Sequence, residues 1–138
     1  MSAKGKIAKE FYTRPNTNCA QAALCAFFWE AGISEETAMK VASGFGGGVR
    51  DKEVCGAICG TIMALGLILG QKNEDDVDAK KQVSELTIEL HKKFKEKHSS
   101  IVCRDLKEKN ICAQLIYDSA DILESLLKDQ GIICPAVR

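Results

Sequence analysis

Seven cysteines stand in a chain of 138 residues, beside one Trp and two His. They are Cys19, Cys25, Cys55, Cys59, Cys103, Cys112 and Cys134. Four share a local setting: Cys19 follows Asn16-Thr17-Asn18, Cys55 follows Asp51, Cys103 follows Ser99-Ser100, and Cys112 follows Asn110. Each therefore falls within the first turn or so of a predicted helix. The first turn holds unpaired backbone N–H groups and the positive end of the helix dipole. Both favour a thiolate over a thiol, and both suit an anionic iron–sulfur cluster whose sulfurs accept N–H bonds. The plainer reading of a free cysteine is a small core residue. That reading is preferred for Cys25 and Cys134, and chemistry is preferred for the four at helix starts.

Cys59 is intermediate. It stands four residues after Cys55, so both thiols share one helix face. The two could supply two ligands, or an attacking and a resolving thiol. The spacing is not CxxC, it matches neither zinc-ribbon nor ferredoxin patterns, and CxxCH is absent.

The elements that must position these thiols are helices. Residues 3–12 form a short amphipathic start with Ile7, Ala8 and Phe11 on one side, ended by Arg14-Pro15-Asn16. Asn16, Thr17 or Asn18 caps a helix running to about Glu30, and Gly32 closes it. Ser34-Glu35-Glu36 opens another, to about Ser43. A glycine-rich loop, Gly44-Phe45-Gly46-Gly47-Gly48, follows, and Asp51 is the predicted cap of a helix from Lys52 to Leu69. Gly56 and Gly60 share a face of that helix and permit close approach. Its nearly all-round apolar character makes it central. Residues 74–98 read as a long charged helix with a stripe of Val77, Val83, Leu86, Leu90 and Phe94. A turn or short helix at 101–108 precedes a last helix, capped by Asn110 and ended by Gly131, with Pro135 stopping the tail. No strand alternation or internal repeat is present. The expected fold is all-α, an irregular bundle of five to six helices around a buried, glycine-containing central helix, in one domain over residues 1–138.

Lys plus Arg number 19 and Asp plus Glu 19, so the formal net charge is zero. That balance argues against a protein whose main task is gripping nucleic acid or an acidic membrane. The basic run from His91 to Lys97 is offset by acidic residues at 74–78 and reads as a solvated helix face, shared by His91 and His98. The N-terminus has positive charge but no apolar stretch behind it, so no secretory signal is read. The run Val54–Leu69 contains Gly56, Gly60 and Gly66 and reads as a buried helix, not a membrane span. A cytoplasmic setting is expected, where cysteine excess signals metal or redox chemistry rather than structural disulfides. The glycine-rich loop lacks the GK[ST] ending of a phosphate loop. It reads as a tight passage that brings backbone close to Cys55. No Ser/His/Asp or paired-carboxylate arrangement can be assigned, and whether the chain is an enzyme stays open.

Cys19 within Asn-Cys-Ala-Gln-Ala, the loop from Gly44 to Gly48, the run Cys55-Gly56-Ala57-Ile58-Cys59-Gly60, then Cys103 and Cys112, together resemble the C-GCAxxG-C-C family of redox-active proteins. The likeness covers roughly residues 5–125. The family label spells Gly-Cys-Ala where this chain reads Cys55-Gly56-Ala57. The resemblance implies that the family's four characteristic cysteines fall on Cys19, Cys55, Cys103 and Cys112, with Cys25, Cys59 and Cys134 as extras. A related domain joined to a multihaem cytochrome module looks like an iron–sulfur carrier, so redox work is implied and a cluster is preferred to zinc. The leading expectation is an iron–sulfur electron carrier serving a redox partner protein, with those four cysteines as metal ligands and Cys59 as a possible substitute. The alternative is a metal-free thiol–disulfide oxidoreductase in which Cys55, lowered in pKa by its helix start, attacks and Cys59 or Cys19 resolves. A structural zinc module is the third. A homodimer is expected from the glycine-lined central helix and the apolar tail Ile132-Ile133-Cys134.

Overall fold

A computed structural model of the chain describes residues 2–107 and 111–134. Among the described residues there are helices and no strand. The α-helices are α1 (Ala3–Tyr12), α2 (Cys19–Cys25), α3 (Phe28–Ala31), α4 (Glu35–Val41), α5 (Gly56–Leu69), α6 (Val77–His98), α7 (Cys103–Lys107) and α8 (Cys112–Asp129). The all-α expectation stands. The helices exceed the five or six expected because some are single turns set by tertiary partners. Asn110 and Pro135 lie outside the described residues.

Helices α2, α5 and α8 pack against one another at the centre. Helix α1 lies across α2 and α8, α6 covers α5 and α8, α4 sits on α2, and α3 sits on α5. Leu24, Ile58, Leu65, Phe94, Ile116 and Leu123 are fully enclosed there. The central role of α5 rests on its glycines. A methyl on Gly60 would strike the Ala20 carbonyl and come within 2.8 Å of Ala23 Cβ, and one on Gly56 would strike Cys19 Sγ. Helix α2 therefore crosses α5 at backbone distance, which larger side chains would forbid.

Local signals set several ends as expected. Asn18 caps α2 in a reciprocal box: its side chain accepts from Gln21 N–H at 2.7 Å, and Gln21 Oε1 accepts from Asn18 N–H at 2.8 Å. Ser34 Oγ accepts from Thr37 N–H at 3.0 Å. Gly32 ends α3 with φ 71°.

Three expectations need correction. The helix drawn from Asn18 to Glu30 is broken at Phe27, whose backbone leaves the helical region at φ −112° and ψ 14°. Lys4, wholly buried, reaches the break: its ammonium donates to the Ala26 carbonyl at 3.0 Å and to Glu30 Oε1 at 2.8 Å. Helix α5 begins at Gly56 instead of Lys52, and Cys55, not Asp51, is its N-cap. The chain before it turns left-handed through Gly47 (φ 64°), Gly48 (φ 67°), Val49 (φ 60°) and Arg50 (φ 64°). Left-handed angles cost a non-glycine residue roughly 1–2 kcal/mol, so this turn is held by its surroundings. What holds it is an antiparallel clasp at Val54 and Val102, where Cys55 N–H donates to the Ile101 carbonyl at 2.7 Å and Cys103 N–H to the Glu53 carbonyl at 2.6 Å. Finally, the two histidines do not share a solvated face. His98 Nε2 lies 2.7 Å from Asp118 Oδ2 on α8, and its ring packs on Phe94. His91 Nε2 is likewise shielded from solvent.

Candidate functional site

The four helix-start cysteines are placed by helix starts and by the clasp. Cys19 is the first residue of α2, immediately after the Asn18 cap. Asn18 Nδ2 also donates to the Ser43 carbonyl at 3.2 Å, which ties this helix start to the glycine-rich loop. Gly46 is required where that loop passes, since a methyl there would come within 2.6 Å of Asn18 Cβ. Cys55 and Cys103 are fixed by their own amides, through the two clasp bonds just described. Cys112 opens α8.

All four cysteines line one cavity of about 220 Å³. Tyr12, Gly47, Leu106 and Leu115 complete much of its wall. Cys55 is buried, and Cys19, Cys103 and Cys112 are half-buried. Cysteines separated by as much as 93 positions in sequence (19 to 112) thus border a common space. The glycine-rich loop contributes backbone to this wall through Gly47, as expected of a tight passage.

The other three cysteines stay apart from it. Cys25 is completely enclosed in the core and Cys134 is buried. Burial pushes the thiol of each up to about 11, with Glu35 adding to the effect at Cys25 and Glu30 at Cys134. Cys59 does not line the cavity. Its S–H donates to the Val54 carbonyl at 3.8 Å, and burial, then Cys19, pushes its pKa up. All seven cysteines are free thiols.

The electrostatics of Cys55 differ from the sequence expectation. Its thiol is pushed up to about 12, first by burial and then by Cys19. The backbone N–H groups of Ala57 and Ile58 pull the other way, as a helix start should, but they do not outweigh desolvation. A protonated, buried Cys55 is a poor attacking thiol at neutral pH. The expectation that its helix start lowers the Cys55 pKa is thereby corrected.

Tyr12, at the end of α1, is a wall residue that sequence reasoning missed. Burial, then the neighbouring Cys112 and Cys19, raise its phenol above the ordinary value of 10. Nothing local marks it, because it ends a helix whose apolar face already has Phe11.

Among the described residues, no group of three or more His, Cys, Asp or Glu side chains is arranged to hold a metal ion. Among the described residues, no helix is long and apolar enough to cross a membrane.

Helix starts bearing thiols around a shared, partly enclosed cavity define an all-helical, cysteine-centred protein. Residues 17–126 match the family described as "putative redox-active protein (C_GCAxxG_C_C)". The chain belongs to that family. No curated protein and no solved structure matches it.

Proposed function

We propose that this chain is an electron carrier in which Cys19, Cys55, Cys103 and Cys112 hold an iron–sulfur cluster within the cavity they line. The observation that carries the reading is the convergence of four cysteine-bearing helix starts on one space of about 220 Å³. The donor set suits the group, since iron–sulfur clusters are held by cysteine thiolates. Such a cluster supplies one-electron exchange with a redox partner protein.

The chain's own residues do the rest. The N–H groups of Ala57 and Ile58 stabilise negative charge on the Cys55 sulfur. Burial of Cys55 makes its bare thiolate costly, and a bound cation inverts that logic by deprotonating a coordinating thiol outright. Leu106 and Leu115 contribute apolar wall and limit water. The reading places the protein in a reducing cytoplasm, where these thiols stay free for metal. It extends to a homodimer, motivated by the exposed apolar side chains of Trp29, Ile88 and Ile133. Light scattering that returns a monomer mass at every concentration would overturn that last part alone.

Anaerobic purification after expression with added iron tests the main claim. The expected result is brown protein with stoichiometric iron and acid-labile sulfide. Serine in place of each cavity cysteine should cut the iron content, whereas Cys25→Ala should leave it unchanged. Colourless, iron-free wild-type protein after anaerobic reconstitution overturns the proposal.

A further inference from the structure

We propose that the segment from Phe45 to Glu53 is a strap over the cysteine cavity, closed by the clasp to Ile101–Cys103 and driven open by the strain of its own left-handed turn. The inference concerns access to the cavity. It goes beyond the iron–sulfur reading and holds for any occupant.

The strap lies against three of the four cysteine positions. Gly46 passes so close to Asn18, the neighbour of Cys19, that an added methyl would come within 2.6 Å of Asn18 Cβ. Gly48 sits equally tightly on Cys103, where a methyl would come within 2.7 Å of its Cβ. A methyl on Gly56, beside Cys55, would lie 3.0 Å from the Phe45 carbonyl oxygen. Gly47 is itself part of the cavity wall. Lifting this segment therefore uncovers the cavity.

Beyond Gly48 the strap is exposed and strained. Val49 (φ 60°), Arg50 (φ 64°) and Lys52 (φ 57°) carry side chains in the left-handed region, and all three are exposed. Each weights the closed form down by roughly five- to thirtyfold. None of the three recovers this by packing in the core. Apart from the seating of the glycines, closure depends on two turn bonds, at 3.2 and 2.9 Å, and the two clasp bonds, at 2.7 and 2.6 Å. The ion pair of Arg104 with Glu53 is exposed and adds little. A segment with exposed backbone and few apolar contacts opens locally, before the molecule unfolds.

The test uses metal-free, reduced protein and sub-stoichiometric N-ethylmaleimide, so that each molecule is modified at most once. Peptide mass spectrometry then gives the initial labelling rate of each cysteine. Cys25 and Cys55 are both buried, but only Cys55 lies under the strap. Cys55 should label roughly tenfold or more faster than Cys25. Equal rates mean that only global unfolding exposes Cys55, and they overturn the proposal. Val49→Gly relieves one left-handed residue and should slow Cys55 labelling by roughly threefold or more. Gly47→Ala adds one, at φ 64° with nothing within 4 Å of the new methyl, and should speed labelling by a similar factor. A rate that ignores either substitution overturns the strap. Should Gly47→Ala fail to fold, Arg50→Gly takes its place and should slow labelling as Val49→Gly does, and no change there overturns the proposal equally. The amide protons of Cys55 and Cys103, the two clasp donors, should exchange with solvent at rates that shift in step with the labelling. Clasp exchange indifferent to the substitutions also overturns it. None of these readouts depends on iron, so the cluster reading stands or falls separately.

Discussion

At the scale of single residues, burial decides the chemistry of the thiols more than helix starts do. Cys55 has two backbone N–H groups acting on it and still sits at about 12. This fixes the pH dependence of the metal-free, reduced protein. Cys25, Cys55 and Cys134 are raised to about 11, 12 and 11 from an ordinary value of 9.0. Below pH 9 these groups are protonated whether the chain is folded or not, and they add no slope. Above it the unfolded chain releases its protons first, so stability falls as the pH climbs from about 9 towards 12. Urea unfolding midpoints of metal-free protein should drop between pH 8.5 and roughly 10.5. Cys25→Ala should flatten that drop. A wild-type midpoint that does not move over this interval would show that these thiols are not buried as described. The helix-start placement itself was legible from sequence because caps are local: Asn18 and Ser34 act on amides three residues away. The net pKa was not, because desolvation depends on what packs over the thiol from elsewhere in the chain.

At the scale of elements, the crossing of α2 and α5 is the joint on which the cavity depends. Gly60 and Gly66 lie on the same helix, and they make opposite predictions. Gly60→Ala places a methyl against the Ala20 carbonyl and Leu24 N, backbone atoms that have nowhere to move. Overpacking of this kind costs about 1–3 kcal/mol. That exceeds the ~1 kcal/mol that Ala gains over Gly in a helix interior. Gly66 has nothing within 4 Å of an added methyl, so Gly66→Ala should stabilise by about 0.5–1 kcal/mol. Thermal melts of the two variants check both signs. Equal and opposite shifts from wild type are not required, but a stabilised Gly60→Ala would refute the close crossing. The pairing of Gly56 with Gly60 was readable from their spacing. The left-handed turn from Gly47 to Arg50 was not. Glycines announce freedom of conformation, but Val49 and Arg50 follow them into the same region only because the clasp at Val54 and Val102 dictates where the chain must arrive.

At the scale of the whole molecule, one buried ion pair joins the N-terminal helix to the break between α2 and α3. Lys4 Nζ lies 2.8 Å from Glu30 Oε2, with side-chain exposures of 1% and 7%. Lys4→Met would leave the carboxylate buried without its partner. Breaking a buried pair in this way costs about 3–5 kcal/mol. The double variant Lys4→Met, Glu30→Gln should recover much of that loss, because it removes the uncompensated charge. Denaturant unfolding of both proteins measures the difference, and equal losses in the two would contradict a charge origin. Sequence reading assigned the apolar face of α1 to Ile7, Ala8 and Phe11, all of which are buried. It passed over Lys4, since a lysine near a chain end is ordinarily solvated and its partner lies 26 positions away. The same limit explains why the thiols were identified from sequence while their shared cavity had to be seen in three dimensions.

The clasp between Glu53–Cys55 and Ile101–Cys103 has a consequence for biosynthesis. Two of the cavity's four sulfurs are brought together by strands of chain nearly fifty positions apart, and a third waits at the start of the last helix. A nascent polypeptide still short of Cys112 on the ribosome offers scattered thiols and no enclosed receptacle. Loading of the proposed cluster would therefore follow translation past Cys112, and truncation before that residue would remove one wall of the cavity.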